Sequence, residues 1–357
     1  MSGLEDRLEG VRLVRDSAGG IAPRPGAAGG NLRRIRALRF TTAGFDREVW
    51  REMCTLGWPG LILPEERGGS GLGLREFCAL AEELGAALAP EPLIPGAMAA
   101  ASLRDDRLAA VLAGDLVVVP AWQERANTLD QAGDTVLRDG RVTGRKMFVP
   151  MAGGADAFLV TTSAGPVLVM RDAPGVTLVV EQTQDGGNFG VLSFADAPGD
   201  VSGTWHSGAL DAATLASAAY LLGVMEAAFA LTLDYLLTRK QFGRVIGSFQ
   251  ALQHRAADLK LRIALTRASV ENAADVFDGA PTMAERQGAV SRAKARASEA
   301  AMSVTQEAIQ LHGGIGYTDE YDVGLYLRKA MVLSNLYGSP ALHRRRFAAC
   351  VPDGNDD

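Results

Sequence analysis

A chain of 357 residues is too long for one ordinary hydrophobic core and suits two or three packed units. Apolar residues make up 47% of it and the formal net charge is −6, a globular composition without the basic balance that would make nucleic acid a partner. Cys54, Cys78 and Cys350 are odd in number, widely spaced and set in apolar or helical surroundings, so they are expected as reduced core thiols in a cytoplasmic protein. His206, His254, His312 and His343 are scattered, without metal-ligand spacing. The opening Met1-Ser2-Gly3-Leu4-Glu5-Asp6 is polar and does not resemble a leader. The charge-free run 212–225 is too short to span a membrane, so no span is expected.

Taken in order, residues up to about Ala43 are weakly patterned, and 18–30, rich in Gly, Ala and Pro, reads as a loop. From Phe45 the pattern is helical: Val49, Trp50 and Met53 share one face, with Gly57 as a C-cap. The glycines from Gly68 to Gly73 lack a preceding strand and the G-x-G-x-x-G spacing, so they read as a turn before a helix over 74–84. Helical stretches follow at 95–103 and 108–113. At Leu116 the period changes, and short apolar or β-branched runs at 116–120, 135–137, 158–162, 167–170 and 176–180 alternate with Gly- and Asp-rich turns. Helices are predicted again at 211–238, 249–277, 281–311 and 323–349, with Pro281 suited to a first turn. The expected organisation is α+β: an N-terminal helical domain over 1–115, a β-barrel-like domain over 116–205 and a four-helix bundle over 206–357.

Between two of the long helices lies Arg239-Lys240-Gln241-Phe242-Gly243, a basic, aromatic elbow. It reads either as a solvated helix–helix turn or as a place where an anion or planar ring is held at a subunit or domain edge. With Phe249-Gln250 and Ala257-Asp258-Leu259 it resembles the R-x-x-F-G…Q…A-D-M/L block of acyl-CoA dehydrogenases. Residues 310–321, QLHGGIGYTDEY, resemble the family's Q-x-x-G-G-x-G-Y/F stretch, and residues 56–85 resemble its N-terminal domain. The three blocks occur in the family's order. The chain is identified by them as a member, and the family fold has the same helix–strand–helix order.

The resemblance implies α,β-dehydrogenation of an acyl-CoA thioester: a carboxylate takes the α proton, a flavin accepts hydride, and the thioester oxygen is polarised. It implies FAD as cofactor and electron-transfer flavoprotein as acceptor. In family members the two C-terminal blocks reach across a subunit interface to a neighbour's FAD. Arg239 would pair with the pyrophosphate, since its planar fork matches the oxygens. Gln241 and Phe242 would line the adenosine side with Gln250 nearby, while Gln310, Gly313 and Gly314 would present amide and bare backbone. For the glycines the alternative is an ordinary helix terminus.

The β domain departs from the family. In place of T-E-P-G-A/S-G-S-D the chain reads Ala121-Trp122-Gln123-Glu124-Arg125-Ala126-Asn127-Thr128. In place of G-x-K-x-W-I-S/T it reads Gly144-Arg145-Lys146-Met147-Phe148-Val149-Pro150, and Pro150 has no donor. Trp122 and Phe148 are expected as β-domain core. The base is missing too: Tyr337 stands at the Glu of Y-E-G-T/S, and Ala213 at the position a minority of the family uses. A phenol is a poor base at neutral pH, and Asp211 reads as an N-terminal helix residue. No catalytic residue is assigned. The expected role is therefore a base-lacking subunit of an α2β2 enzyme, acting on an acyl-CoA substrate of sterol side-chain type and completing the FAD site of a homologous subunit that carries the Glu. The alternatives are a self-sufficient homo-oligomeric flavoenzyme with altered chemistry and a flavin-free scaffold or acyl-CoA-binding protein of the same fold. Apolar surface on 212–225 and 289–311 is expected to drive assembly.

Overall fold

A computed structural model describes residues 2–26, 31–131, 133–201, 203–205, 208–279 and 281–350. His206 and residues 27–30 of the expected loop lie outside the described residues. The N-terminal helices are α1 (Ser2–Ile21), α2 (Arg33–Leu38), α3 (Arg47–Thr55), α4 (Leu74–Ala86), α5 (Leu93–Ser102) and α6 (Asp105–Ala113). Eight strands follow: β1 (Val118–Ala121), β2 (Val136–Arg138), β3 (Arg141–Pro150), β4 (Ala157–Thr162), β5 (Gly165–Met170), β6 (Val176–Gln182), β7 (Asn188–Pro198) and β8 (Asp200–Val201). The C-terminal part holds α7 (Ala209–Thr238), a ribbon of β9 (Lys240–Gln241) and β10 (Arg244–Val245), then α8 (Gln250–Asp278), α9 (Met283–His312), α10 (Val323–Leu333) and α11 (Pro340–Cys350). Helical, then sheet, then helical: the expected fold class is the observed one.

The described residues form two compact units, one drawn from Met1–Arg33, Leu74–Ala89 and Thr214–Asp357, the other from Arg34–Gly73 and Pro90–Ala213. The second unit carries two four-stranded sheets, ordered β1-β4-β5-β8 and β2-β3-β7-β6. β1 and β4 pair in parallel and the other pairs are antiparallel. Val119, Phe158, Val160 and Val167 from one sheet and Val142, Val149, Leu192 and Phe194 from the other enclose one core. Alternation along each strand turns these side chains inward.

Strands β3 and β7 were not anticipated, for a physical reason. Register shifts between Val142 and Gly144 and between Lys146 and Val149 break the period of β3. In β7 the inward positions include Asn188 and Gly190, which dilute the apolar alternation. A Cβ at Gly190 would stand 2.4 Å from the Cβ of Ala152, so packing requires glycine there. In α3, Asp46 caps the first turn through Glu48 N, and Gly57 at φ +74° closes the end as expected.

Three other expectations are corrected. Residues 18–21 continue α1, with Ala18 buried, because tertiary contacts with α4 override the weak local pattern. Pro281 precedes the N-cap: Thr282 and Glu285 form a reciprocal capping box, so the first turn starts after the proline. Residues 323–349 are two helices, because Tyr337 (φ +59°) and Gly338 (φ +108°) turn the chain into the left-handed region before Pro340.

In the first unit α7 is the apolar centre. It is 30 residues long, and 83% of its most apolar window is buried within the protein. Residues 212–225 are therefore covered by the chain itself, as are most apolar positions of 289–311, and neither stretch calls for a partner to bury it. Apolar side chains left open include Leu237 at the end of α7, Leu261 and Leu265 of α8 and Phe242 of the ribbon. Close approach of α4 and α7 depends on two glycines. A Cβ on Gly223 would fall 1.9 Å from Glu82 O, and one on Gly85 would fall 2.0 Å from Tyr220 O.

Those contacts set two effects against each other at Gly223. Alanine improves helix propensity by about 1 kcal/mol, but the collision is with backbone and can be relieved only by separating the helices, at a cost of about 3 kcal/mol or more. Gly223→Ala is expected to lower the thermal midpoint; an unchanged or raised midpoint would show that the two helices are free to separate.

Candidate functional site

The ribbon that carries Arg239 is built by its own sequence. β9 and β10 pair Gln241 with Arg244 and Lys240 with Val245, leaving a two-residue loop. Its residues, Phe242 (φ +53°) and Gly243 (φ +77°), both have positive φ, as a type I′ turn requires. Glycine takes this without strain, whereas phenylalanine does not. Yet Phe242 is 90% exposed, and its ring meets Phe249 edge-on with ring centroids 6.2 Å apart. Arg244 covers the other face of Phe249 at 3.9 Å. The Arg239 backbone closes the ribbon by accepting from Ile246 N at 2.9 Å, and its side chain is exposed, with no partner among the described residues. Gln241 and Gln250 are exposed as well.

The second motif ends α9. Gln310 is exposed, Gly313 adopts φ +66°, and a Cβ added to Gly313 or Gly314 would meet nothing within 4 Å. The backbone there is bare and open, and Ile315 and Tyr317 beside it are exposed. Sequence reading missed what joins the two motifs. Tyr235, one helical turn before Arg239, stacks on His312 at 4.6 Å, and Tyr321 closes on His312 at 4.9 Å. His312 Nδ1 donates to Ala308 O at 2.7 Å, and burial pushes the imidazole pKa down. The Arg255–Glu307 ion pair ties α8 to α9 nearby. Arg239, Gln241, Phe242, Gln250, Gln310, Gly313 and Gly314 are thereby gathered at one end of the bundle. The aromatic spacing was visible in the sequence, but its meaning depended on the fold.

The sheet-bearing unit gives the opposite picture. Its loop after β1 is tied together through Glu124, which accepts from Asp134 N at 2.6 Å, Thr135 N at 3.1 Å and Lys146 Nζ at 2.7 Å. Burial pushes the Glu124 carboxyl up, but Lys146 and the other donors outweigh it and hold the pKa down to about 2. Lys146 is fully buried, and its ammonium also donates to Thr161 at 3.0 Å. Trp122 is core, as expected. Phe148 is not: it is exposed, with φ +55°, and meets Phe189 edge-on at 6.4 Å. Pro150 is buried and paired opposite Phe189 in the sheet, without a donor to offer. These groups serve the loop's own structure and do not fit a dinucleotide cradle, whereas the exposed fork of Arg239 and the open Gly313-Gly314 backbone do fit one face of it.

The two residues that the resemblance sets at base positions, Ala213 and Tyr337, are both buried. Ala213 is buried in the first turn of α7, as is Asp211. Tyr337 is 2% exposed, its hydroxyl has no hydrogen-bond partner among the described residues, and burial raises its pKa well above the ordinary phenol value. His343 Nε2 donates to Tyr337 O at 2.8 Å, and burial pushes His343 down to about 3. Beside them Lys294 is enclosed, donating to Leu333 O at 2.6 Å and Ser217 Oγ at 3.2 Å. Burial alone pushes its ammonium down to about 7.

A helical N-terminal part, a two-sheet core and a terminal bundle with an exposed Arg-bearing ribbon define the architecture of a flavin-dependent dehydrogenase. Residues 31–103 match the acyl-CoA dehydrogenase N-terminal domain, and residues 204–351 match the acyl-CoA dehydrogenase C-terminal domain. The acyl-CoA dehydrogenase IpdE2 of Mycolicibacterium smegmatis is 33% identical over 321 residues, covering 89% of this chain and 92% of that protein. A structure of the Tcur3481–Tcur3483 steroid ACAD superposes with a TM-score of 0.84 at 30% identity, covering 99% of both chains. The ChsE4–ChsE5 complex from Mycobacterium tuberculosis gives 0.81 at 26% identity, covering 96% of each chain. The chain belongs to the acyl-CoA dehydrogenase family, FAD-dependent oxidoreductases that act on acyl-CoA.

Two outcomes follow from this geometry. Phe242→Asn relieves the positive-φ strain and should stabilise the chain by about 1 kcal/mol in urea unfolding; a loss of stability would show that the ring packs at home. For Lys294, the unfolded amine stays protonated to about pH 10.4, whereas the folded one releases its proton near 7. The folded chain then binds fewer protons between those values, so stability rises with pH across that window. Lys294→Met should flatten the rise, read as a smaller difference between unfolding free energies at about pH 6.5 and about pH 9.

Proposed function

We propose that this chain is the base-lacking subunit of a heteromeric, FAD-dependent acyl-CoA dehydrogenase, completing the FAD site of a homologous partner that carries the catalytic Glu. The observation that carries the reading is a contrast within the chain. The group at the base position, Tyr337, is sealed, while the Arg239 side chain is exposed without a partner among the described residues and Gly313-Gly314 present an open, side-chain-free surface. The Tcur3481–Tcur3483 steroid ACAD and the ChsE4–ChsE5 complex support a two-component assembly, and the first also supports a steroid-type CoA thioester as substrate class.

In this reading Arg239 donates to the pyrophosphate of the partner's FAD, Gln241, Phe242 and Gln250 flank the adenosine, and Gln310, Gly313 and Gly314 offer amide and bare backbone. The flavin supplies hydride acceptance. This chain supplies binding and charge complementarity, and the partner's carboxylate takes the proton. Electrons would leave to an electron-transfer flavoprotein, in the cytoplasm, where the three free cysteines stay reduced. The division at 115/116 and 205/206 into helical, β and bundle domains belongs to the same proposal.

Purified alone, the chain should show no appreciable dehydrogenation of acyl-CoA with a dye acceptor; robust turnover would sink the proposal. In a complex co-purified with a Glu-bearing homologue, Arg239→Ala should lower FAD affinity roughly ten- to a hundredfold, the worth of a charged hydrogen bond. Arg239→Lys should restore part of it, because the charge stays while the fork is lost. Assembly should survive both substitutions. Wild-type FAD content in Arg239→Ala would instead make the ribbon a solvated turn.

A further inference from the structure

Helix α9 packs between α8 and α11, and along that valley all three helices present arginine. Arg262 of α8, Arg292 and Arg296 of α9 and Arg344 of α11 rim a groove of about 340 Å³ floored by Ala295, Ala300 and Phe347. Its carboxylate is Glu299, already ion-paired with Arg344. Arg292 donates to the neutral amide of Asn272, which leaves its charge in place. Arg262 and Arg296 have no partner among the described residues. Four guanidinium groups against one carboxylate leave a formal excess of three positive charges, in a chain whose net charge is −6.

Like charges gathered in a concave wall repel one another and focus the field on the space they enclose. A counter-anion relieves that repulsion, and guanidinium forks match phosphate oxygens in pairs. A second depression of about 570 Å³ adjoins the first, shares Arg292 and Phe347, and is lined mostly by apolar groups such as Val276, Pro281 and Ala289, with Glu285 at its edge engaged by the Thr282 capping box. Charge on one side of Phe347 and apolar surface on the other suit a ligand with a compact multivalent anion joined to a flat ring. Convergence from three helices onto one small volume favours such a ligand over an extended acidic segment. Arg262 lies twelve residues along α8 from Gln250, about 18 Å at 1.5 Å per residue, so the groove is separate from the Arg239 ribbon.

We propose that this groove binds a nucleoside diphosphate, with the diphosphate held among Arg262, Arg296 and Arg344 and the base against Phe347. Isothermal titration of the full chain with ADP and with inorganic pyrophosphate tests it, at about 50 mM and about 200 mM salt. Saturable one-to-one binding is expected, weaker at the higher salt, with ADP tighter than pyrophosphate. Arg296→Gln and Arg262→Gln should each weaken both probes about tenfold. Phe347→Ala should weaken ADP alone, and Arg239→Ala should change neither. The proposal is overturned by the absence of saturable binding, by binding that is lost with Arg239→Ala and kept with Arg296→Gln, or by a polyglutamate peptide that binds more tightly than ADP. None of these results depends on a partner subunit or on flavin, so the FAD-completing role stands or falls separately.

Discussion

The helical unit depends on one buried charge cluster. Glu82 of α4 is 3% exposed, and burial alone would push its proton affinity up. Arg267 and Arg15 outweigh that and hold its carboxyl below the usual range, Arg267 Nη2 at 2.6 Å and Arg15 Nη2 at 2.8 Å. Glu83 takes Arg24 at 2.5 Å and Arg15 at 3.0 Å, and Glu226 of α7 takes Arg267 at 2.6 Å. Four helices, α1, α4, α7 and α8, thus meet in one network. A network of this kind adds little net stability over apolar packing, but any unmatched member is costly. It therefore fixes which faces of the helices meet, and with them the rotation of α7 against α4, where Gly85 and Gly223 let the backbones touch.

Everything at the ribbon end follows from that rotation. The last turn of α7 places Tyr235 against His312, so the chain leaving α7 and the chain leaving α9 arrive side by side. Positive φ at Phe242 and Gly243 closes the ribbon in a two-residue turn, and Phe242 at its tip is 90% exposed. The opposite outcome holds at Tyr337, where the left-handed turn at Tyr337-Gly338 is held by His343 at the Tyr337 carbonyl and the side chain is buried. One polar centre is turned out and the other closed in. That division underlies the proposed dependence on a partner.

How much of this was legible can be judged residue by residue. The long helices were, because Leu259, Ile263 and Val270 repeat at helical spacing on α8 and are buried there. So was the exposed Phe242, and so was the departure at Pro150. Strands β3 and β7 were not, because bulges and inward Gly and Asn erase the period-two signal. The arginine groove was not, because Arg262, Arg292, Arg296 and Arg344 are spread over 83 residues and only α8–α9–α11 packing brings them together.

The sequence by itself determined the family and the order of helical and β parts, since these depend on residue identity and local spacing. The tertiary structure alone decided which groups are sealed and which are offered. Burial of Tyr337 and Lys294, the internal use of Glu124 by its own loop, and the bare surround of Arg239 are set by neighbours far away along the chain. Desolvation acts through that neighbourhood, and local sequence does not encode it.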